Sequence, residues 1–539
     1  MTDSSYDIIV IGGGLAALST AIEAADQGSS VVIINKGVTG ASGSSAKAAG
    51  ILAAPFGHGD LKIRPGNDSA KQHSEDTIKV GYNIGNLSLI DHITRNAKDA
   101  VNWLESMGVQ FSVADDGGYI QLNTPGNSCP RGCSAVGGGN AIMKKLIARA
   151  KALNITIFDN AIARELIKHE QQIIGAVIQT EQTCFSLMAH AVILAAGGAT
   201  GLFPTVSGDE NNTGSSLMLG FDAGAKLGNL EFIEFTLIYR VHGNILRIAG
   251  LAPFMSRGGK ILNKNGLNLL NKYFPDISPP QISRAELLRT VHSEITKGNG
   301  PVLLDCTHFT KEQWSEFKKT QGSTTLDEIA KAGCNFEKEF IEVIPAAHSI
   351  LAGLVVDINA ATSIKGLFAA GENATGIHGA GRLAGNGLTS CVVMGRTAGN
   401  SANKFIRTQA GFHQQNKSGP HLPMEQIIGR SAINKIIENI RNLAGNSLGI
   451  VRNDLDLTHA QSKLKNISRQ LQLLGVESIR HWEAKQMASL ASLMIKAALR
   501  RKESRGVQFR SDQQERNEQW GLMQTVYKTQ NSELIWENA

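Results

Sequence analysis

The sequence predicts an α/β fold built around a Rossmann-like dinucleotide-binding domain that is split along the chain. Three observations point there. The chain opens on a complete β-α-β unit with glycines at its turn, two later apolar runs at 191–200 and 366–372 also end in glycine, and from about residue 420 the pattern turns helical. At 539 residues the chain exceeds the ~100–200 typical of one domain, so about three domains are expected.

Tyr6 to Ile11 reads as a buried strand and Leu15 to Gln27 as a helix with Leu18, Ile22 and Ala25 on one face. Val31 to Ile34 is the next strand. In the intervening Gly12-x-Gly14-x-x-Ala17, Gly12 permits a tight turn and Gly14 lets the backbone approach a pyrophosphate. Ala17 keeps helix and strand close, and the helix N-terminus faces the phosphate charge. The acidic residue that usually follows for the ribose is missing. The strand ends Ile34-Asn35-Lys36, where Asn35 offers a neutral hydrogen bond, which weakens a plain NAD-dehydrogenase reading.

A polar, glycine-rich stretch follows, then helices at 84–108, closed by Gly108, and at 140–153. Residues 155–195 alternate short apolar runs with polar turns and read as strands. AVILAAGGAT places Ala196, Gly197 and Gly198 at a strand end, and GLFAAGE does the same with Gly371 and Glu372. Three glycine-ended strands in one chain fit a single extended cofactor crossing a split domain. The expected boundaries are 1–235 and 346–415 for the two parts of that domain, 236–345 for a substrate-facing domain and 416–539 for a helical domain. In the last, Ile433, Ile436, Ile437, Ile440 and Ala444 form an amphipathic stripe ended by Gly445, and a second helical run covers 475–503.

Composition narrows the function classes. Hydrophobic residues at 42% and charged residues at 19% exclude a largely disordered or fibrous chain. The 57 glycines lie in short clusters between apolar runs, as where backbone approaches a ligand closely. The net charge of +6 is mild. Basic residues thicken at Lys496, Arg500, Arg501, Lys502, Arg505 and Arg510, but aromatics there are sparse, so no nucleic-acid partner is expected. Six cysteines at irregular spacing point to reduced thiols and a cytoplasmic protein, and Cys129 and Cys133 lack the second pair that a metal site needs. Neither a signal peptide nor a membrane span is expected, so any membrane association is peripheral, through a partner.

Across almost its whole length the chain resembles the flavoprotein family of succinate dehydrogenase, fumarate reductase and L-aspartate oxidase. IGGGLAALSTAIEAADQGSSVVIINKG is similar to the family's FAD-binding start, the loop Ser42 to Gly50 to its serine-rich segment, and AVILAAGGATGLFP to its second FAD segment. PAAHSILAGLVVD and GLFAAGENATGIHGAGRLAGNGL carry the strongest match, and KESRGVQFRSDQQERNEQW resembles the family's C-terminal tail, with Gln508 where a His is common. The resemblance implies a split Rossmann-like FAD-binding domain, an inserted α+β capping domain and a C-terminal helical domain. It implies cofactor contacts at Gly12, Gly14, Ala17, Asn35, Lys36, Ser44, Ser45, Gly50, Ala196, Gly197, Gly371, Glu372, Arg382, Asn386, Gly387 and Leu388. His348 and Arg382 fall on the family's substrate-binding positions.

Two departures stand out. Relatives with covalent flavin carry a His in the loop after the second strand; residues 42–50 have none and His58 lies beyond it, which implies non-covalent FAD. Relatives also carry a His-Pro-Thr for the substrate carboxylate, then an acid/base arginine. Here Thr236-Leu237-Ile238 replaces the first, and either Met255 or Arg257 stands at the place of the second. The implied activity is hydride transfer between flavin N5 and a small carboxylate-bearing substrate, with Arg382 binding a carboxylate, His348 hydrogen-bonding it and Arg257 as candidate acid/base. The alternative is a flavin-bearing component of an electron-transfer complex with an iron–sulfur partner, adenylylsulfate-reductase-like or catalytically altered, docked through the basic C-terminal helices.

Overall fold

The computed structural model describes residues 5–56, 68–115, 117–248, 250–279, 282–319, 322–408, 430–474, 478–528, 531 and 533–538. His58, residues 416–429 of the expected helical domain and residues 475–477 of its second run lie outside the described residues. Contacts divide the chain into two compact units. The larger comprises 1–204, 209–232 and 350–539; the smaller comprises Thr205–Gly208 and Ile233–Ser349.

The larger unit is organised by a seven-stranded sheet. Its order is Thr156–Asp159, β2 (Val31–Asn35), β1 (Ser5–Ile11), Cys184–Leu194, Gln172–Gln179 and Ile162–His169, and Leu367–Ala369 also pairs with Cys184–Leu194. β1 pairs in parallel with both of its neighbours. Such central strands are covered on both faces, which explains the unbroken apolar runs: Ile8, Ile9, Val10, Val192, Ile193 and Leu194 are all fully buried. The helix α1 (Leu15–Asp26) crosses the helix Asn386–Thr408 at very short range. A Cβ at Gly395 would stand 2.6 Å from the Ala16 carbonyl oxygen, and one at Gly399 2.6 Å from that of Thr20. Part of the glycine content therefore serves helix packing.

The C-terminal part holds the helices Arg430–Ser447, Asp454–Leu473 and Ile479–Arg500. Gly445 does not end the first of them, which runs on to Ser447. Its lack of a side chain instead admits Pro204, whose Cδ would lie 2.8 Å from a Cβ there. Beyond the helices, Gln524–Lys528 and Leu534–Asn538 form a hairpin that joins a second, five-stranded sheet through Leu227–Gly228. The helical pattern read from 420 onward therefore stops short of the chain's end.

The basic run at 496–510 divides between surface and interior, with Arg500 and Lys502 exposed and Lys496 half-buried. Arg501, Arg505 and Arg510 are buried, because each is consumed by internal partners. Arg501 reaches Glu231 at 2.6 Å and Glu503 at 2.8 Å, Arg505 reaches Glu503 at 2.7 Å, and Arg510 reaches Asp512 at 2.6 Å. Gln508, also buried, accepts a 2.9 Å hydrogen bond from Arg452.

The smaller unit is built on an antiparallel sheet ordered Asn244–Leu246, Ile233–Val241, Ile341–Ile350, Leu303–Asp305 and Lys260–Leu262. An aromatic cluster of Tyr239, Phe254, Phe317, Phe336 and Trp314 fills its core. Thr236, Leu237 and Ile238 are buried within the long strand Ile233–Val241, so the segment that replaces His-Pro-Thr is regular sheet.

Candidate cofactor site and active-site residues

Strand register gathers the glycine-rich ends at one sheet edge. Ile11 is level with Ile34 on one side and Leu194 on the other, and Leu194 is level with Ala369. All four strands run parallel, so Gly12–Gly14, Asn35, Ala196, Gly197 and Gly371 emerge from the same C-terminal edge, where ligands bind in open α/β sheets. Backbone bonds seal the junction: Gly12 N–H donates to Ile34 at 2.8 Å, Ala195 to Ile11 at 2.8 Å and Ala370 to Leu194 at 3.0 Å. Gly12 has φ +125°, and a Cβ there would lie 2.2 Å from the Ala195 oxygen. Only glycine fits that crossing.

The N-terminus of α1 has no acidic residue in its first turn and no cap from Gly14. Ser45 supplies an acceptor instead, its Oγ taking the Leu15 N–H at 3.0 Å. Ala17 is fully buried beneath this turn. The arrangement, a positive helix end over a glycine cradle with no carboxylate to repel an anion, fits a dinucleotide pyrophosphate. Asn35 is buried and its amide nitrogen lies 2.5 Å from where a Gly13 Cβ would be, so it forms the floor of the turn.

The loop 42–50 is anchored by the segment Asp209 to Asn212. Asp209 accepts the Gly43 N–H at 2.8 Å and pairs with Lys47 at 3.3 Å. Burial would raise its carboxyl, but the N–H donors of Asn211 and Gly43 and the Lys47 charge outweigh that and hold it below the usual range. Asn212 donates to Ser44 Oγ at 3.1 Å. Gly50, with φ +80°, packs on Gly138. The Lys36 ammonium is held by the Asn211 carbonyl at 3.1 Å and by Glu483 of the helix Ile479–Arg500.

Across the sheet edge, Glu372 Oε1 accepts the Ile350 N–H at 2.8 Å and occupies the space beside Gly198, where a Cβ would be 2.4 Å away. Asn373 is fully buried and ties the strand ends together, accepting from the Ala196 N–H and donating to Ser216 at 2.8 Å. Arg382 is half-buried, with its guanidinium 2.8 Å from where a Gly387 Cβ would stand; the missing side chain makes its room. Leu388 follows, half-buried, on the first turn of the helix Asn386–Thr408. Asn386 uses its amide inside the protein: Oδ1 meets His73 Nε2 at 2.6 Å and Nδ2 donates to Thr77 at 2.9 Å. His73 is fully buried, and burial pushes its pKa down to about 4 against the opposing pull of the Asn386 hydrogen bond.

The other two substrate candidates belong to the smaller unit. His348 is half-buried, and its Nδ1 lies 2.8 Å from Ser207 Oγ, which sets the rotation of the ring. Arg257 is half-buried with its guanidinium over the Phe317 ring at 5.3 Å, while Met255 is buried. The aromatic face holds the guanidinium by a cation–π contact. Arg284, unremarked in the sequence, pairs with buried Glu234 at 2.7 Å. Motif matching could not find His73, Asp209 or Glu483, because each is a lone polar residue whose partner is remote in sequence, and it gave no role to Asn373 within the matched GLFAAGENATG. The described residues contain no His/Cys/Asp/Glu cluster suited to a metal and no helix long and apolar enough to cross a membrane.

Comparison with known proteins agrees with this geometry. A family model described as FAD binding domain matches residues 7–388, and one described as fumarate reductase flavoprotein C-term matches 438–538. The chain is 32% identical to an uncharacterized FAD-dependent oxidoreductase of Methanocaldococcus jannaschii, over 95% of each chain. It is 32% identical to L-aspartate oxidase of Mesorhizobium japonicum, covering 94% of this chain and 91% of that one. To a subunit of the fumarate reductase (CoM/CoB) of Methanothermobacter marburgensis it is 28% identical, over 95% of each. In fold it is similar to the E. coli quinol fumarate reductase flavoprotein (TM-score 0.86, 23% identity, 100% of this chain and 97% of that one). It is also similar in fold to adenylylsulfate reductase of Archaeoglobus fulgidus (TM-score 0.76, 20% identity, 99% and 95%).

Proposed function

Because this chain belongs to the FAD-dependent flavoprotein family of succinate dehydrogenase, fumarate reductase and L-aspartate oxidase, we propose that it exchanges a hydride with a small carboxylate-bearing substrate. FAD, held along the edge made by β1, β2, Cys184–Leu194 and Leu367–Ala369, supplies the two-electron centre at its N5. The observation that carries the substrate class is Arg382. It lies in the connection that leaves this edge after Leu367–Ala369, half-buried against a residue with no side chain. A guanidinium so placed recognises a carboxylate bidentately. In the smaller unit, which we assign as the capping domain, His348 is the proposed hydrogen-bond donor to substrate and Arg257 the proposed proton donor.

Stopped-flow measurement of flavin reduction and reoxidation with dicarboxylates, amino acids and sulfite tests this reading. Arg382→Ala is expected to slow the reaction with the best carboxylate by about 100-fold or more per bound flavin, with FAD content measured alongside because Arg382 is also a proposed cofactor contact. Unchanged turnover removes Arg382 from the site. Bleaching by sulfite with AMP, and by no carboxylate, replaces the substrate assignment.

The FAD is proposed to be non-covalent, since residues 42–50 contain no His. Flavin fluorescence that stays with the denatured chain on a gel contradicts this. A second reading, an iron–sulfur electron-transfer partner, is favoured by the likeness to a chain that is one component of a multi-subunit fumarate reductase. Affinity purification of the native protein checks it: a co-purifying chain with iron and acid-labile sulfide is the expected outcome.

A further inference from the structure

The strand β2 ends on Asn35 and is followed by Lys36, without the carboxylate that a dinucleotide fold usually places there. A carboxylate nevertheless reaches this point, from the helix Ile479–Arg500. Glu483 is buried, with 2% of its surface exposed, and its Oε1 holds both the Lys36 ammonium and the Thr213 hydroxyl, the latter at 3.2 Å. Its Oε2 lies 3.6 Å from Arg480. Burying a carboxylate so completely is costly unless it is well partnered, and here its partner is the residue that follows β2.

The contact is one part of a larger connection. The segment 209–214 joins the loop after β2 to the C-terminal helices. Towards the loop it offers Asp209 to Gly43 and Lys47, the Asn211 carbonyl to Lys36 and Asn212 to Ser44. Towards the helices, Thr213 meets Glu483, while Arg441 of Arg430–Ser447 donates to the Glu210 carbonyl at 3.2 Å and to the Gly201 carbonyl at 2.9 Å. Every group lies in the larger unit.

We infer that Glu483 is a positioning residue for the adenosine half of FAD, supplied by the C-terminal helices in place of the carboxylate that β2 lacks. Through Lys36 and Thr213 it holds the strand end and the segment 209–214 closed over that half, so the helical part acts as a latch on cofactor release. The inference rests on the placement of FAD beside β2 proposed above.

The test is the rate of FAD release from the purified holoprotein, followed by flavin fluorescence, with FMN as a probe that lacks the adenosine half. Glu483→Gln is expected to release FAD about tenfold faster or more and to bind FMN as the wild type does. Glu483→Asp, which keeps the charge, is expected to fall between the two. An unchanged FAD release rate, or equal weakening of FAD and FMN, overturns the role of Glu483. Should Glu483→Gln fail to fold, Thr213→Val, which removes one donor and leaves the ion pair, is expected to speed FAD release by a smaller factor, and no change there overturns the role as well. Lys36→Met separates the two layers of the argument. If it retains FAD like the wild type, the placement of the cofactor beside β2 fails; if it loses FAD while Glu483→Gln does not, only the latch fails.

Discussion

His73 shows how one buried side chain supports the site without belonging to any motif. Asn386 turns its Oδ1 to Nε2, so that nitrogen carries the proton, and burial holds the ring neutral, with a pKa of about 4 against 6.5 for a free imidazole. Between those values the unfolded chain binds more protons than the folded one. The contribution of His73 to stability therefore rises with pH from about 4 to 6.5 and is level above it, by about 3 kcal/mol in all. His73→Gln keeps a donor for Asn386 and removes the titration. Urea denaturation at pH 7 and pH 5 is expected to show the wild type losing more stability on acidification than the variant. Arg131, paired with Asp68 at 2.9 Å and with Asp76 at 2.8 Å, is present in both proteins.

At the scale of elements, the crossing of α1 with Asn386–Thr408 positions two faces of the cofactor edge at once. The first helix begins at the glycine turn, and the second begins at Asn386-Gly387-Leu388. Gly395 and Gly399 set their separation. Gly395→Val would drive a side chain into the Ala16 carbonyl, and overpacking of this kind costs about 1–3 kcal/mol. The variant is expected to purify with less bound FAD, read from the ratio of flavin to protein absorbance, as well as with a lowered denaturation midpoint.

For the whole molecule, the buried ion network joins remote parts of the chain. Arg501, from the C-terminal region, is fully buried between Glu231 and Glu503, and its Nη groups also donate to the Leu522 and Trp520 carbonyls, the former at 2.8 Å. Removing one member leaves buried charge without compensation. Arg501→Met is expected to cost about 3–5 kcal/mol in guanidinium denaturation, far more than the ~0–1 kcal/mol typical of an exposed pair such as Arg95 with Asp91. A cost below about 1 kcal/mol contradicts this account of the network. The same burial takes three of the six basic residues close together in sequence, Arg501, Arg505 and Arg510, out of the surface.

The β-α-β start, the glycine-ended strands and the cofactor class were legible in the sequence because each depends on local pattern. Apolar runs, turn glycines and a helix start lie within a few residues of one another, and Gly12, Gly197 and Gly371 show positive φ at the expected strand ends. The hairpin at 524–538, the pairing of His73 with Asn386 and the reach of Glu483 to Lys36 were not legible. Each joins residues distant along the chain, and a lone Glu or His on a helix gives no sign of its partner. The amino-acid sequence by itself determined that this protein has an edge suited to a dinucleotide cofactor, which the family resemblance identifies as FAD. The tertiary structure alone decided which charges are spent holding that edge together, because burial and partnership exist only once the chain is folded.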